Sequence, residues 1–166
     1  MNWILGITSV LVLIFLVNNY YRKKRFKNLK VNLLKNWGKQ KENEYFNFYI
    51  IKQYFENNFR KDQSYHQISE RTSVDLDIDE LFKFIDRTSS KIGQQYLYFK
   101  IRTIETIEKL KKFDLLSNLF LNNEKLRVNS QLILSKLNSQ NSYDLEKLIN
   151  DKPIQKPSYL KFIYTS

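Results

Sequence analysis

Histidine and cysteine, the residues most used for acid–base chemistry and metal binding, are almost absent from this chain. His66 is the only histidine, and there is no cysteine. No motif fixes an acidic residue beside His66, so a surface or hydrogen-bonded histidine is a better interpretation than a general base or a metal ligand. The lack of cysteine excludes disulfides and thiolate metal sites and is typical of a reducing compartment.

Three aspartates at alternate positions, Asp75, Asp77 and Asp79, imitate the start of a calcium-binding loop. Such a loop needs glycine at its sixth position, where this chain has Glu80, and the next two residues here are apolar. Asp77 followed three residues later by Glu80 is instead the pattern of a capping box at the start of a helix. The sequence therefore predicts a helix cap here and no calcium site.

No other stretch indicates an active site. The three glycines, Gly6, Gly38 and Gly93, do not form the G-x-x-x-x-G-K-[ST] loop that binds ATP phosphates. There is no nucleophile elbow, no metal-ligand cluster and no carboxylate pair in a recognisable frame. We therefore predict no catalytic, no cofactor-binding and no metal-binding residues, no cofactor, and a protein that is not an enzyme.

The elements that surround these residues are predicted to be helices. Glycine and proline are scarce, which favours long helices over a many-turned β architecture, so the predicted fold class is all-α. Lys61–Ser73 is predicted to be a polar connector and Val74–Ile78 a short extended lead-in. Apolar residues at helical spacing predict helices at Glu44–Phe59, Leu81–Ile85, Ile92–Arg102, Thr106–Leu121, Glu124–Leu137 and Tyr143–Ile149, with caps at Thr88–Ser90 and at Asn122 or Asn123.

The first of these helices carries a wide aromatic stripe. Phe48, Ile51, Phe55 and Phe59 recur at helical spacing, with tyrosines beside them. Aromatic residues mixed with lysine can stack the bases of single-stranded nucleic acid. Core packing explains the same pattern more often, so we interpret the stripe as the core face of the helix.

The N-terminus is predicted to be a transmembrane anchor. Trp3–Val17 is apolar apart from two hydroxyl residues, and extension to Tyr21 gives roughly 28 Å of helix, close to the ~30 Å of a bilayer core. The basic run that begins at Arg22 follows, so the positive-inside rule places the N-terminus outside. A cleaved signal peptide fits less well, because no positive n-region precedes the apolar run and no small-residue cleavage site follows it. Phe26–Trp37 has near-helical spacing and continues the helix until Gly38.

This anchor sets the predicted layout and location. The predicted parts are a transmembrane anchor at residues 1–21, a basic juxtamembrane segment at 22–43, a helical domain at 44–157 and a tail at 158–166. The predicted location is the inner or plasma membrane, in a single pass, with the C-terminal domain cytoplasmic. Nine of the 28 Lys and Arg lie within 22–41, and from Glu42 onward 19 basic residues face 17 acidic ones. The net charge of +11 therefore belongs mostly to one segment and does not indicate a DNA-binding surface.

One stretch, Asp75–Arg102, carries a family resemblance. It reads DLDIDELFKFIDRTSSKIGQQYLYFKIR, in which a Leu-Phe start is followed by an Asp-Arg-Thr turn, a glycine and a leucine-bearing helix that ends in arginine. This string resembles the opening of the core, or lever, domain of MutS-type mismatch-repair proteins. The Asp-Leu-Asp-x-Asp-Glu lead-in resembles the membrane-anchored MutS-related subgroup. Within the match, Arg87, Thr88 and Gly93 are read as packing and turn residues.

The resemblance implies a part of a larger machine and no chemistry of its own. In that family ATP is hydrolysed by a separate domain with a P-loop, and neither that domain nor a mismatch-reading domain is recognisable here. We therefore expect an N-terminal, ATPase-lacking portion of a membrane-anchored MutS-like protein with a structural, lever-type role. DNA binding is only a family implication. The alternative is a membrane-tethered helical protein–protein interaction module unrelated to DNA repair, with a second copy or a partner helix bound to its apolar faces.

Overall fold

The computed structural model describes residues 2–42, 44–57 and 63–150. Within these residues the chain is mainly helical, as the sequence predicts. In chain order its helices are α1 (Asn2–Lys35), α2 (Phe48–Asn57), α3 (Glu70–Asp75), α4 (Ile78–Ile85), α5 (Lys91–Arg102), α6 (Ile107–Asn122), α7 (Glu124–Leu134) and α8 (Leu145–Asn150). Two short 3-10 turns, Ser135–Leu137 and Gln140–Asp144, follow α7, and the strands β1 (His66–Gln67) and β2 (Thr103–Ile104) form an antiparallel pair.

The core forms where α2 and α4 pack against α5. Its fully buried side chains come from helices far apart in sequence and from the second 3-10 turn: Ile51, Ile78, Phe82, Tyr98 and Tyr143. The Phe82 ring lies edge-on to Phe46 and Phe48, with ring centroids 5.6 and 5.7 Å away. Aromatic pairs at this separation and angle are favourable beyond the apolar area that they bury.

The aromatic stripe of α2 packs as a core face. Ile51 is fully buried, and Phe48 and Phe55 are half-buried against the same cluster. Tyr54, which the stripe did not include, is buried too, and its ring centroid lies 5.5 Å from that of Phe99. The predicted stripe residue Phe59 lies outside the described residues.

Arg127 of α7 connects three parts of the fold near the end of α1. Arg127 of α7 lies over the Trp37 ring at 3.9 Å, and its NH1 donates to the carbonyls of Phe120 and Leu121 at 2.9 and 3.2 Å. A single arginine thus links the segment after α1 to the end of α6 and to α7. Gly38 ends this segment with φ +75°, a left-handed conformation that glycine adopts without strain.

The predicted transmembrane anchor is corrected by the structure. Among the residues that the structure describes, no helix combines the length and the apolar character needed to cross a membrane. The apolar segment continues as one helix of 34 residues through the basic segment to Lys35. The predictions of a membrane location, a single pass and an outward N-terminus are therefore wrong for this structure.

The segment before α4 also differs from its prediction. The predicted extended lead-in Val74–Ile78 is instead the end of α3 and a turn, because Ser69 caps α3 by accepting from the Thr72 N–H at 3.1 Å. Asp77 does occupy the N-cap position of α4, but its φ of 49° is left-handed and its side chain makes no cap hydrogen bond. The predicted capping box is thus right in position and wrong in its hydrogen bonds.

The helices after Arg102 lie close to their predicted bounds. α6 begins and ends one residue later than predicted, and Asn123 caps α7 by accepting from the Leu126 N–H at 2.9 Å. The last turn of the predicted Glu124–Leu137 helix is a 3-10 turn. The predicted tail at 158–166, and the end of the predicted domain beyond Asn150, lie outside the described residues.

Candidate functional site

A buried carboxylate is the centre of the polar interior. Asp86 follows α4 directly, and its side chain is fully buried. Oδ2 accepts from Lys41 Nζ at 2.7 Å and from Gln94 Nε2 at 3.0 Å. Oδ1 accepts from the Thr88 N–H at 2.9 Å and from its hydroxyl at 2.7 Å. Four donors on two oxygens satisfy this buried charge.

A second carboxylate extends the cluster toward the surface. Glu44 Oε1 accepts from Lys91 Nζ at 2.8 Å and from Gln94 Nε2 at 2.9 Å. On the other side of the same amide, the Tyr143 hydroxyl donates to Gln94 Oε1 at 2.6 Å. We call this cluster the Asp86 network; it consists of Lys41, Glu44, Asp86, Thr88, Lys91, Gln94 and Tyr143.

The electrostatics of the network favour the charged form of each carboxylate. Burial opposes ionisation of Asp86, but the hydrogen bond and charge of Lys41, with the bonds from Gln94 and Thr88, hold its pKa below the usual 3.8. Burial likewise opposes ionisation of Glu44, but the Lys91 hydrogen bond, the charges of Lys41 and Lys91 and the Gln94 hydrogen bond together outweigh it, so that the pKa of Glu44 lies below the usual 4.5. Burial, together with the charges of these two carboxylates, raises the pKa of Tyr143 to about 12.

The turn between α4 and α5 is fixed by its own side chains. Ser90 caps α5 by accepting from the Gly93 N–H at 3.1 Å. A Cβ on Gly93 would lie 2.8 Å from that Ser90 hydroxyl and 3.3 Å from the Thr88 Cβ, so glycine is required by the cap itself.

Arg87 supports the same turn from outside. Its NH1 donates to the carbonyls of Phe84 and Asp86 at 2.7 and 3.0 Å, and its Nε donates weakly to the Gly38 carbonyl at 3.4 Å. These contacts bring the segment after α1 against the α4–α5 turn. All three motif residues, Arg87, Thr88 and Gly93, thus have local structural contacts, as the packing interpretation expects.

A buried cation, Arg102, lies at the C-terminal end of α5. Arg102 is 2% exposed, and its Nε and NH2 both donate to the Ile68 carbonyl, at 3.2 and 2.9 Å. Its NH1 donates to Glu70 and to the Tyr98 hydroxyl, and its guanidinium lies 4.5 Å from the Phe55 ring centroid. This arginine therefore fixes β1 and α3 against the end of α5.

The residues that the sequence analysis considered and rejected as site residues, His66 and the three aspartates, are not brought together. His66 is an exposed residue of β1, and its backbone carbonyl accepts from the Ser64 hydroxyl. Asp79 pairs with Lys52 at 2.9 Å and accepts from Tyr98, whereas Asp75 and Asp77 are exposed. In the part of the chain that the structure describes, no group of three or more acids or histidines could hold a metal ion.

A cleft of about 420 Å³ lies beside the network, between the end of α1, the α4–α5 turn and α7. Its walls carry the amides of Asn32, Asn36 and Gln131 together with Lys39 and Glu42. Lys41 and Arg87 also border it, so that three cations and the Glu42 carboxylate line the cleft. The network carboxylates beside it accept hydrogen bonds from Lys41, Thr88, Lys91 and Gln94.

Sequence reasoning missed Lys41, Glu44 and Tyr143 of the network. Each binds a residue at or after the α4–α5 turn that lies 45 or more residues away, and no local motif connects them. One signal was present in the sequence: Gln94 and Gln95 lie among the apolar residues of α5, where the structure buries both of them fully. Amides on a core-facing side of a helix indicate buried hydrogen-bond partners.

Comparison with known protein families, curated proteins and solved structures finds no match to this chain. The likeness of Asp75–Arg102 to the MutS core therefore rests on the residues quoted above.

Proposed function

We propose that this chain is a non-catalytic helical module of the MutS core, or lever, type, and that Asp75–Arg102 is its rigid joint. The joint sets the directions of α4 and α5 and connects them to the segment that follows α1. In this proposal the chain contributes architecture, and any ATP-driven movement or DNA contact requires a partner domain. DNA binding by this chain is an implication of the family and is not part of its own role.

The observation that carries this proposal is the set of contacts that the motif residues make within the fold. Six residues that resemble the family pattern serve the core, the turn or the end of α5: Phe82 in the core, Asp86 in the network, Thr88 and Ser90 in the turn, Gly93 under the cap and Arg102 at the end of α5. Polar groups that are engaged inside the fold in this way support an architectural role for the Asp86–Arg102 part of the motif.

A graft tests the family assignment. Leu81–Arg102 would replace the corresponding opening stretch of a MutS core domain, and thermal unfolding of the host would be followed by circular dichroism. We expect a cooperative transition, because the graft carries its own cap and turn, with the bonds of Asp86 to Thr88 and Gln94 and of Arg102 to Tyr98. The matched control is the same graft with Asp86→Ala and Arg102→Ala, which should unfold at a clearly lower temperature. Equal loss of folding with both grafts would contradict the assignment.

The alternative role is a helical protein–protein interaction module. Its specific support is α6, which has no buried residue although it carries eight large apolar side chains, seven of them exposed. Monomeric proteins seldom leave so large an apolar surface uncovered unless it meets a partner. Sedimentation equilibrium of the full chain separates the roles: a monomer at all accessible concentrations would remove the support for self-association.

A further inference from the structure

A groove outside the Asp86 network lies between α5, α6 and α7 and holds about 280 Å³. Four of its lining residues recur at intervals of three and four, so they share one face of α5: Ser90, Gly93, Leu97 and Lys100. At about 1.5 Å per residue, this face is roughly 15 Å long. Phe113 of α6 and Leu134 of α7 form the opposite walls. This α5 groove is therefore elongated, with the α4–α5 turn at one end and the end of α5 at the other.

Between its two ends the α5 groove is apolar. Leu97, Phe113 and Leu134 line it, and the Tyr96 ring lies beside them. A cavity of about 150 Å³ with walls of this kind accepts a benzene ring. The α5 groove therefore has room for one aromatic ring and a short chain.

A cation lies where the groove reaches the end of α5. Lys100 Nζ is 5.4 Å from the centroid of the Phe113 ring and 3.5 Å from Glu105 Oε1. Glu105 is shared with a second cation, because Lys109 Nζ lies 2.9 Å from its Oε2. None of the described residues that line the groove is acidic. Two cations for one carboxylate leave positive charge at this end, which favours an anionic group on a ligand.

Two hydrogen-bonding groups without partners lie at the opposite end. Gln131 and Arg87 border both this groove and the cleft beside the network. Gln131 Oε1 is buried and has no donor among the residues that the structure describes. Arg87 donates from NH1 and Nε to backbone carbonyls, which leaves its NH2 without an acceptor in the same part of the chain. A hydroxyl both donates and accepts hydrogen bonds, so one ligand hydroxyl matches both groups.

We propose that the α5 groove binds a small aromatic acid whose ring carries a hydroxyl opposite the carboxylate chain. The carboxylate pairs with Lys100, and the ring packs between α5, α6 and α7. The hydroxyl donates to Gln131 Oε1 and accepts from Arg87. Because only the folded chain brings these groups together, the ligand also stabilises the fold. The proposal goes beyond the architectural role and does not depend on the MutS assignment.

Three matched ligands test this recognition on the full chain, with binding followed by saturation-transfer difference NMR. Para-hydroxyphenylpropionate should bind with a dissociation constant below about 1 mM. Phenylpropionate lacks the hydroxyl and should bind about three- to tenfold more weakly. Para-hydroxyphenylpropanol lacks the carboxylate and should bind at least about tenfold more weakly. Equal affinity for all three ligands, or no binding of the hydroxy acid at about ten times the expected constant, would overturn the proposal.

Substitutions in the groove locate the site. Lys100→Met should raise the dissociation constant of para-hydroxyphenylpropionate about three- to tenfold. The matched control is Lys109→Met, because Lys109 pairs with the same Glu105 but does not line the groove; it should change the constant less than about twofold. Gln131→Leu should abolish the preference for the hydroxy acid over phenylpropionate.

The variants overturn the assignment in two ways. Equal effects of the two lysine substitutions would place the binding outside the α5 groove. A preference for the hydroxy acid that survives Gln131→Leu would overturn the hydroxyl contact. Circular dichroism checks that each variant keeps its helix content, and the three ligands on the wild type decide the proposal if a variant does not fold.

Discussion

Lys41 Nζ lies 2.7 Å from Asp86 Oδ2, so a residue that follows α1 neutralises a fully buried carboxylate 45 residues later in the chain. This pair fixes the N-terminal segment to the α4–α5 turn. A buried charge that lost its partner would be strongly destabilising. The predictions below follow from this pair and from the contacts around it.

Acid should weaken the fold through Asp86 and Glu44. Both carboxyl groups have a lower pKa in the folded chain than the 3.8 and 4.5 of the free groups. Their contribution is therefore complete above about pH 5 and is lost as the pH falls through the folded pKa values. The urea midpoint of the wild type should fall between pH 6 and pH 3, and Asp86→Asn should show a smaller fall. An equal fall in both proteins would contradict the assignment to Asp86.

Gly93→Ala should destabilise the chain although alanine favours helices by about 1 kcal/mol. The new Cβ would lie 2.8 Å from the Ser90 hydroxyl that caps α5. Urea unfolding should show a net loss of about 1–2 kcal/mol, and the loss should shrink when Ser90 is already alanine. The same penalty with and without the Ser90 hydroxyl would place the strain elsewhere.

Arg102→Lys should cost about 3 kcal/mol of unfolding free energy, measured by urea unfolding at pH 7. Lysine keeps the charge but cannot donate to the Ile68 carbonyl and the Tyr98 hydroxyl together, nor stack on Phe55 as a planar group. Lys109→Arg, an exposed cation paired with Glu105, is the matched control and should change stability little. Comparable small effects for both substitutions would show that Arg102 is not a fixed buried contact.

Tyr143→Phe should cost about 1–2 kcal/mol, because Gln94 Oε1 then loses its donor inside the core. The same variant should remove one tyrosine that ionises late, since the pKa of Tyr143 is raised to about 12. Ultraviolet absorbance during alkaline titration measures both proteins. Loss of a tyrosine that ionises near pH 10 would contradict the buried hydrogen bond.

The sequence predicted those helices and caps that depend on interactions between residues close together in the chain. The Ser90 and Asn123 caps, and the helices α6 and α7, follow from short patterns, and the structure has them within a few residues. Ser69 followed by Thr72 is a similar N-cap signal for α3. The alternation of apolar residues with aspartates predicts an extended segment there instead, so α3 was not predicted. The predicted capping box does not form its hydrogen bonds, because Asp77 has a left-handed backbone conformation in the α3–α4 turn and its side chain makes no cap hydrogen bond.

Long-range pairing decided the rest. Nothing near Lys41 in the sequence indicates Asp86, and nothing near Tyr143 indicates Gln94, because these contacts depend on how the helices pack. The exposure of the apolar residues of α6 was equally hidden, since their spacing predicts an amphipathic helix whether or not a neighbour covers it. Hydropathy alone also overstated the N-terminus, where the apolar stretch is part of a 34-residue helix that continues through basic residues to Lys35, and no described helix is long and apolar enough to cross a membrane.

The most direct test of the architectural joint is a double-mutant cycle on Lys41 and Asp86. Urea unfolding at pH 7 would compare Lys41→Met, Asp86→Asn and the double variant with the wild type. The joint predicts a coupling of about 1–3 kcal/mol, with the double variant less destabilised than the sum of the singles. The exposed pair Glu80 and Lys83, treated in the same way, should show a coupling below about 0.5 kcal/mol. Additive effects at Lys41 and Asp86 would contradict a buried, structure-holding pair.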